Sequence, residues 1–362
     1  MKRIWIAYFA GLSVTLASLN TQAAVGAISG PFIHRNLQIF LVHGEPQLED
    51  RHYATLSEAL DKGYVVVRET GNVSELSIEN VSKKVTVFLN AGDIVKGGRQ
   101  DRTVRDDLIL PPHSGQLALA AFCVEHGRWT KRGAENDAAF SANTKVLSSR
   151  KEKLAARYGA NQSDVWSGVA DQQTKLNENV SRLAGKHVDT HSAASSSSLQ
   201  LTLENKDLDS VKKHYLDKLS RILDDKTDVI GFVYAINGEI NSAEVYNNKT
   251  LFRALWSKLL DAAITEAVTE YHGDQPLKPA VTADLKTFFE TALSGSMTER
   301  AVSRTTRVKT YTTPNTVLFE TLDLDADNVW IHKTFINKEK ETVIVPLDRG
   351  SYQNQQQRLD RR

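Results

Sequence analysis

The chain has 362 residues, 41% of them hydrophobic, with 45 basic against 44 acidic side chains. That length and apolar share suffice for a sizeable core in one large or two ordinary domains, and the near-neutral balance argues against nucleic acid as a partner, which needs a basic surplus. The single cysteine, Cys123, excludes an intramolecular disulfide, so packing must hold the fold.

Lys2-Arg3 precede a largely apolar run over residues 4–19, and Thr21-Gln22-Ala23-Ala24 follow. This is the layout of a secretory signal peptide, so residues 1–23 are expected to be removed and the mature chain to be periplasmic or secreted. The run is short for a bilayer, no stop-transfer pattern follows and no second long apolar run appears, so no stable membrane anchor is expected after cleavage. Losing Lys2 and Arg3, and no acid, turns a net charge of +1 slightly negative.

Residues 24–130 read as a β-rich block. Residues 37–42 and 64–67 are short β-forming runs, and Leu76 with Ile78, then Val85, Val87 and Leu89, alternate with polar positions. Residues 117–124 are apolar on both faces and read as a central, doubly covered strand. A short helix fits residues 54–60. Residues 131–200 read as a long surface loop to residue 149, then a helix N-capped by Ser163 or Asp164 and ended by Gly185, then a linker finishing in the serines at 195–198.

Residues 201–350 form a second α+β block. A helix over residues 208–223 leads to a strand at 229–236, an Asn237-Gly238 hairpin turn and a return strand to Tyr246. The most regular helix follows, carrying Leu251, Phe252, Leu255, Trp256, Leu259 and Leu260 in one stripe. A further helix near 284–293 precedes strands at 307–311, 316–322, 329–336 and 342–345, and residues 351–362 are a polar tail. The fold class is therefore α+β, with a β-rich, sandwich-like N-terminal block and helices plus a hairpin-containing sheet in the C-terminal half. The blocks are separate domains or one composite domain.

The clearest site signal is GDIVKGGRQDR, beginning at Gly92. It is not a nucleotide P-loop, because Gly98 and Arg99 stand where Lys and Ser or Thr are required and no helix pattern follows. Gly97 and Gly98 permit positive φ, which either turns the strand sharply or gathers N–H groups into an anion-binding concavity. Arg99 and Arg102 offer guanidinium forks to a phosphate or carboxylate, with Gln100 as an adaptable contact. Equally, the arginines can pair with Asp101, Asp106 and Asp107 on a turn.

GDIVKGGRQDR, the following DDLILPP, then FCVEHGRW, and later GFVYAINGEI with LFRALWSKLL resemble the ADP-ribosylglycohydrolase- and rhodanese-phosphatase-associated protein family over residues 36–271. Asp101 stands where that family usually has Asn. The resemblance joins two separated stretches into one candidate ligand-binding site: Gly97, Gly98, Arg99, Gln100, Arg102, Glu125, Arg128 and Trp129. Its name implies association with ADP-ribose chemistry through gene neighbourhoods, not a reaction.

Glu125 shares a strand face with Cys123 and emerges as the strand ends, and Trp129 is placed to stack on a ligand. Glu125 can equally form an internal ion pair with Arg128. Cys123, phased with Leu119, reads as a small buried hydrophobe. Glu125 and His126 are the candidate acid/base residues for catalysis. His187, Asp189 and His191 alternate, and Asp323, Asp325 and Asp327 mimic a calcium loop, but Asn328 replaces its glycine and Thr334 its final Glu, so no metal site is assigned. No nucleophile-elbow, zinc-protease or dinucleotide fingerprint is present, so no cofactor is expected. The resulting expectation is an exported, non-catalytic binding protein for an anionic, nucleotide-like or ADP-ribose-related small molecule or an envelope protein partner. The alternatives are a hydrolase of ADP-ribose-like or phosphorylated substrates and a structural envelope protein.

Overall fold

The computed structural model describes residues 26–128, 130, 140–273 and 279–338. The signal peptide expected at residues 1–23, Trp129, the strand expected at 342–345 and the polar tail lie outside the described residues. In chain order the first strands are β1 (Ile28–His34), β2 (Leu37–His43), β3 (Tyr53–Thr55), β4 (Val65–Glu69), β5 (Glu75–Asn80), β6 (Thr86–Leu89), β7 (Asp93–Gly97), β8 (Arg102–Val104), β9 (Leu108–Leu110), β10 (Gly115–Cys123) and β11 (Phe140–Leu147). Helix α1 (Leu56–Asp61) lies among them. Helices α2 (Arg150–Lys153), α3 (Gln162–Ala184), α4 (Leu199–Leu203) and α5 (Lys206–Leu219) follow, with a π-helical turn at Leu154–Tyr158. The remainder is β12 (Val229–Ile236), β13 (Glu239–Tyr246), α6 (Lys249–Thr269), α7 (Thr282–Leu293), β14 (Ser296–Ala301), β15 (Thr306–Thr312), β16 (Thr316–Asp323) and β17 (Val329–Asn337).

The fold is mixed α+β, built from antiparallel sheets. An eight-stranded sheet runs β1-β2-β12-β13-β17-β16-β15-β14, and a six-stranded, nearly closed, barrel-like sheet runs β11-β7-β8-β10-β5-β4. A small third sheet, β3-β6-β9, contains the one parallel pairing among the described residues, β3 with β6. The N-terminal strands β1 and β2 thus enter the same sheet as the C-terminal strands. At its centre every residue of β12 is buried, because apolar clusters cover both faces. One cluster gathers α3, α5 and α6, and α7 packs Phe288 and Phe289 against Phe335 on the other. Asn237 and Gly238 both take positive φ, 53° and 84°, as a two-residue turn between twisted antiparallel strands requires.

Several local expectations change. Residues 140–147 are not loop but β11, paired with β7 from Phe140 opposite Gly97 to Leu147 opposite Asp93. Their sequence, FSANTKVL, has no clean alternation, so the pairing and the burial of Phe140 impose the strand. Helix α3 is capped by Asn161, whose side chain accepts from Ser163 N at 2.9 Å and Asp164 N at 3.4 Å, rather than by Ser163 or Asp164. Gly185 ends it in the left-handed region, as expected. Only the second half of β10 is covered, since Gln116 and Ala118 are exposed. The Asp323, Asp325 and Asp327 stretch is a short 3-10 turn joining β16 to β17, with Asp323 capping it.

Candidate functional site

The glycine pair makes a hairpin. β7 and β8 pair through Ile94 with Thr103 and Val95 with Arg102, and residues 98–101 connect them. Gly97 and Gly98 have φ of 124° and 55°, which side chains resist. A Cβ on Gly98 would also lie 2.3 Å from Phe140 Cζ. Two N–H groups of this turn are taken by the chain's own carboxylates. Gly97 N–H donates to Asp101 Oδ1 at 3.0 Å and Arg99 N–H donates to Glu69 Oε2 at 3.3 Å.

Beside the hairpin, β10 pairs Cys123 with Arg102. The Arg102 side chain is fully buried, and its Nη1 donates to Cys123 Sγ at 2.7 Å and to Gln100 Oε1 at 3.3 Å. Its carboxylate partner is Glu69 on β4, with Nη2 3.5 Å from Oε1. Burial pushes the Cys123 thiol up to about 12 despite the nearby Arg102, so Cys123 is a packed thiol, not a poised nucleophile.

Past β10 the backbone runs through Glu125 to Gly127, which turns with φ 84°. The Glu125 carboxylate, fully buried, accepts from Arg128 Nε at 2.7 Å and from the Ser195 hydroxyl. Arg128 also reaches Gly98 O at 3.4 Å and lies 3.7 Å from Asp101 Oδ1, which ties the strand end to the hairpin. The structure therefore brings Gly97, Gly98, Gln100, Arg102, Glu125 and Arg128 into one cluster, with Arg99 and His126 exposed at its edge. His126 packs edge-on against Trp166 at 4.7 Å.

Two contributors are not legible as site residues in the sequence: Glu69, and the serines expected to form a linker. Ser195 bonds Glu125, Ser197 donates to His126 O at 2.6 Å, and Ser198 donates to Asp101 Oδ2 at 3.3 Å before capping α4. A serine run looks solvated because its hydroxyls need partners, and here buried carboxylates and carbonyls supply them.

A second polar cluster lies deeper. His332 on β17 has Nδ1 3.0 Å from Asp107 Oδ2 and Nε2 2.9 Å from Glu244 Oε2, and Tyr246 stacks on its ring at 4.2 Å. Arg157 Nη2 donates to Asp107 at 3.0 Å and Lys153 Nζ to Glu244 at 2.7 Å. Burial alone would raise Asp107 and Glu244, but the cations beside them win. Asp107 is held far below the usual carboxylate range and Glu244 is lowered to about 2. The same two carboxylates raise His332 against the opposing effect of burial, which favours an imidazolium donating from both nitrogens. Asp107 and His332 are fully buried. An Asp-His-Glu chain this enclosed joins sheet to sheet rather than meeting a solute. Its one sequence signal is polar residues on the inward phase of β13 and β17: Ser242, Glu244, His332 and Thr334.

The family model for ARPP-1, the ARG and Rhodanese-Phosphatase-superfamily-associated Protein domain, matches residues 27–336. The chain belongs to the ARPP-1 family. No curated protein and no solved structure matches it. Both polar clusters of this ARPP-1 chain lie inside the matched span. Among the described residues no group of three or more His, Cys, Asp or Glu side chains is placed to hold a metal ion, and Asp189 instead accepts from His191 Nδ1 at 2.9 Å. Among the described residues no helix is long and apolar enough to cross a membrane.

Proposed function

We propose that the chain is an exported, non-catalytic binding protein that holds an anionic ligand of nucleotide or ADP-ribose-related chemistry on the rim formed by residues 97–99 and 126–128. The observation that carries this reading is the direction of charge. The Asp101, Glu125 and Glu69 side chains are 0%, 0% and 6% exposed, so the cluster's acids point inward, whereas Arg99 is exposed. The turn beneath Arg99 is held by Asp101, Glu69 and Arg128, so its position is set before a ligand arrives. Catalysis by Glu125 would require proton exchange from a carboxylate whose two oxygens are engaged by Arg128 and Ser195. Export rests on Lys2-Arg3, the apolar run and Ala23-Ala24.

The test is a thermal-shift titration of the mature chain and its Arg99→Glu variant with ADP-ribose, ATP and inorganic phosphate. A ligand at about 100 times its Kd should stabilise the native chain by about 2.7 kcal/mol, and Arg99→Glu should abolish that gain without moving the unliganded melting temperature. Equal stabilisation of both proteins sinks the assignment. The structural-protein reading keeps one specific support, the internal pairing of Arg102 and Arg128. Silence toward every anion, with a large loss of stability in Glu69→Ala, would favour it.

A further inference from the structure

A cleft of about 680 Å³ opens where β17 ends beside the β12–β13 turn and the start of α7. Arg150 and Lys338 bring cations to it, Glu239 and Asp284 bring carboxylates, and Phe288 and Asn337 complete the part of the lining used here. Two of these charges stand out. Among the described residues, Lys338 has an aromatic partner, Tyr158, whose ring centre is 5.2 Å from Nζ, and no carboxylate in ion-pair contact. Glu239 likewise has no cation in contact among the described residues, and it opens β13 with an exposed side chain. Lys338 and Glu239 therefore face one cleft without neutralising each other.

We propose that this cleft binds a short peptide by its two charged ends, the carboxylate on Lys338 and Arg150 and the ammonium on Glu239 and Asp284. The volume falls within the range of roughly 300–1,000 Å³ typical of clefts that enclose small ligands. A cleft lined by both signs suits a ligand that carries both, and a peptide of a few residues carries an ammonium and a carboxylate at its opposite ends. Burial lowers the Lys338 pKa with no carboxylate offsetting it, so an arriving carboxylate supplies the missing compensation. Asp284 and Arg150 are partly committed, because Asp284 Oδ2 accepts from Val281 N at 3.0 Å and Arg150 Nη1 donates to Asn337 O at 3.4 Å, which leaves Glu239 as the main acceptor for the ammonium and Lys338 as the main cation for the carboxylate. Peptide recognition here is independent of Arg99 and of the anion rim.

Isothermal titration of the mature chain with trialanine tests the proposal, with acetylated, amidated trialanine and inorganic phosphate as comparisons. Trialanine should bind, the blocked peptide should not, and Lys338→Glu or Glu239→Lys should each raise Kd by at least about tenfold with the melting temperature unchanged. Arg99→Glu should leave this binding intact, which separates failure here from failure of the rim. No binding of trialanine, equal binding of the blocked peptide, binding of phosphate alone, or wild-type affinity in both variants would overturn the proposal.

Discussion

The Asp107-His332-Glu244 chain and the Arg102-Glu125-Arg128 cluster both bury carboxylates against cations, but they meet solvent differently. In the first, a fully enclosed Asp-His pair is extended by Arg157 from the π-helical turn and Lys153 from α2, and it binds the loop after β8 to β13, β16 and β17. In the second, the acids and Arg102 are inside, but the hairpin turn carries Arg99 out. The difference teaches that the same kinds of residue can make a fully enclosed ion-pair chain in one place and, in another, a paired cluster with an exposed cationic side chain at its edge.

Breaking the enclosed chain should have the largest effect. Asp107→Ala leaves the buried His332 and Arg157 without their shared carboxylate and should cost about 3–5 kcal/mol in urea denaturation. A loss below about 1 kcal/mol would mean that this chain holds nothing together. At the hairpin, Gly98→Ala forces a Cβ onto the Phe140 ring at a backbone angle of +55° and should cost about 1–3 kcal/mol. Phe140→Leu in the same chain should recover part of that loss, since it removes the atoms the Cβ meets.

A pH profile sharpens the contrast from the interior side. Burial pushes Glu152 from its ordinary 4.5 up to about 7, so the native chain holds that proton more tightly than the unfolded chain does. Its contribution is fully present below 4.5 and is lost as pH rises toward about 7. Glu152→Gln keeps an acceptor for Ser149 N–H and should flatten the decline of melting temperature across that window. A profile identical to that of the native chain would remove Glu152 from the account. Asp107 and Glu244 act oppositely, because their lowered values mean stability is lost as pH falls below the usual carboxylate range. The smallest effect belongs to Arg99→Glu, which should change unliganded stability by less than about 0.5 kcal/mol. A larger change would make Arg99 part of the framework.

Where local pattern and tertiary role agree, the fold is legible in the sequence. The apolar strand at Val229–Ile236, the Asn237-Gly238 turn and the long stripe of Lys249–Thr269 each advertise themselves, and so does the burial of Cys123 through its phase with Leu119. β11 and β14 do not. Ser296–Ala301 is a largely exposed edge strand and Phe140–Leu147 lacks alternation, so partners rather than propensity define both. At the site, the glycine pair and the arginines are readable because positive φ and guanidinium chemistry leave few other uses. Glu69 is not, because it lies 33 residues from Arg102 on a strand whose pairing pattern says nothing about the next strand but two. The serines at 195–198 mislead for a related reason: low complexity suggests solvent, whereas their hydroxyls bond Glu125 and Asp101.

The rim assignment is tested most directly by hydrogen exchange read by mass spectrometry on the chain from residue 24 onward, with and without saturating ADP-ribose. The account predicts slowed exchange in the peptides covering residues 93–104 and 124–128 and no change at the β12–β13 turn. Protection confined to other segments, or unchanged exchange throughout, would contradict it.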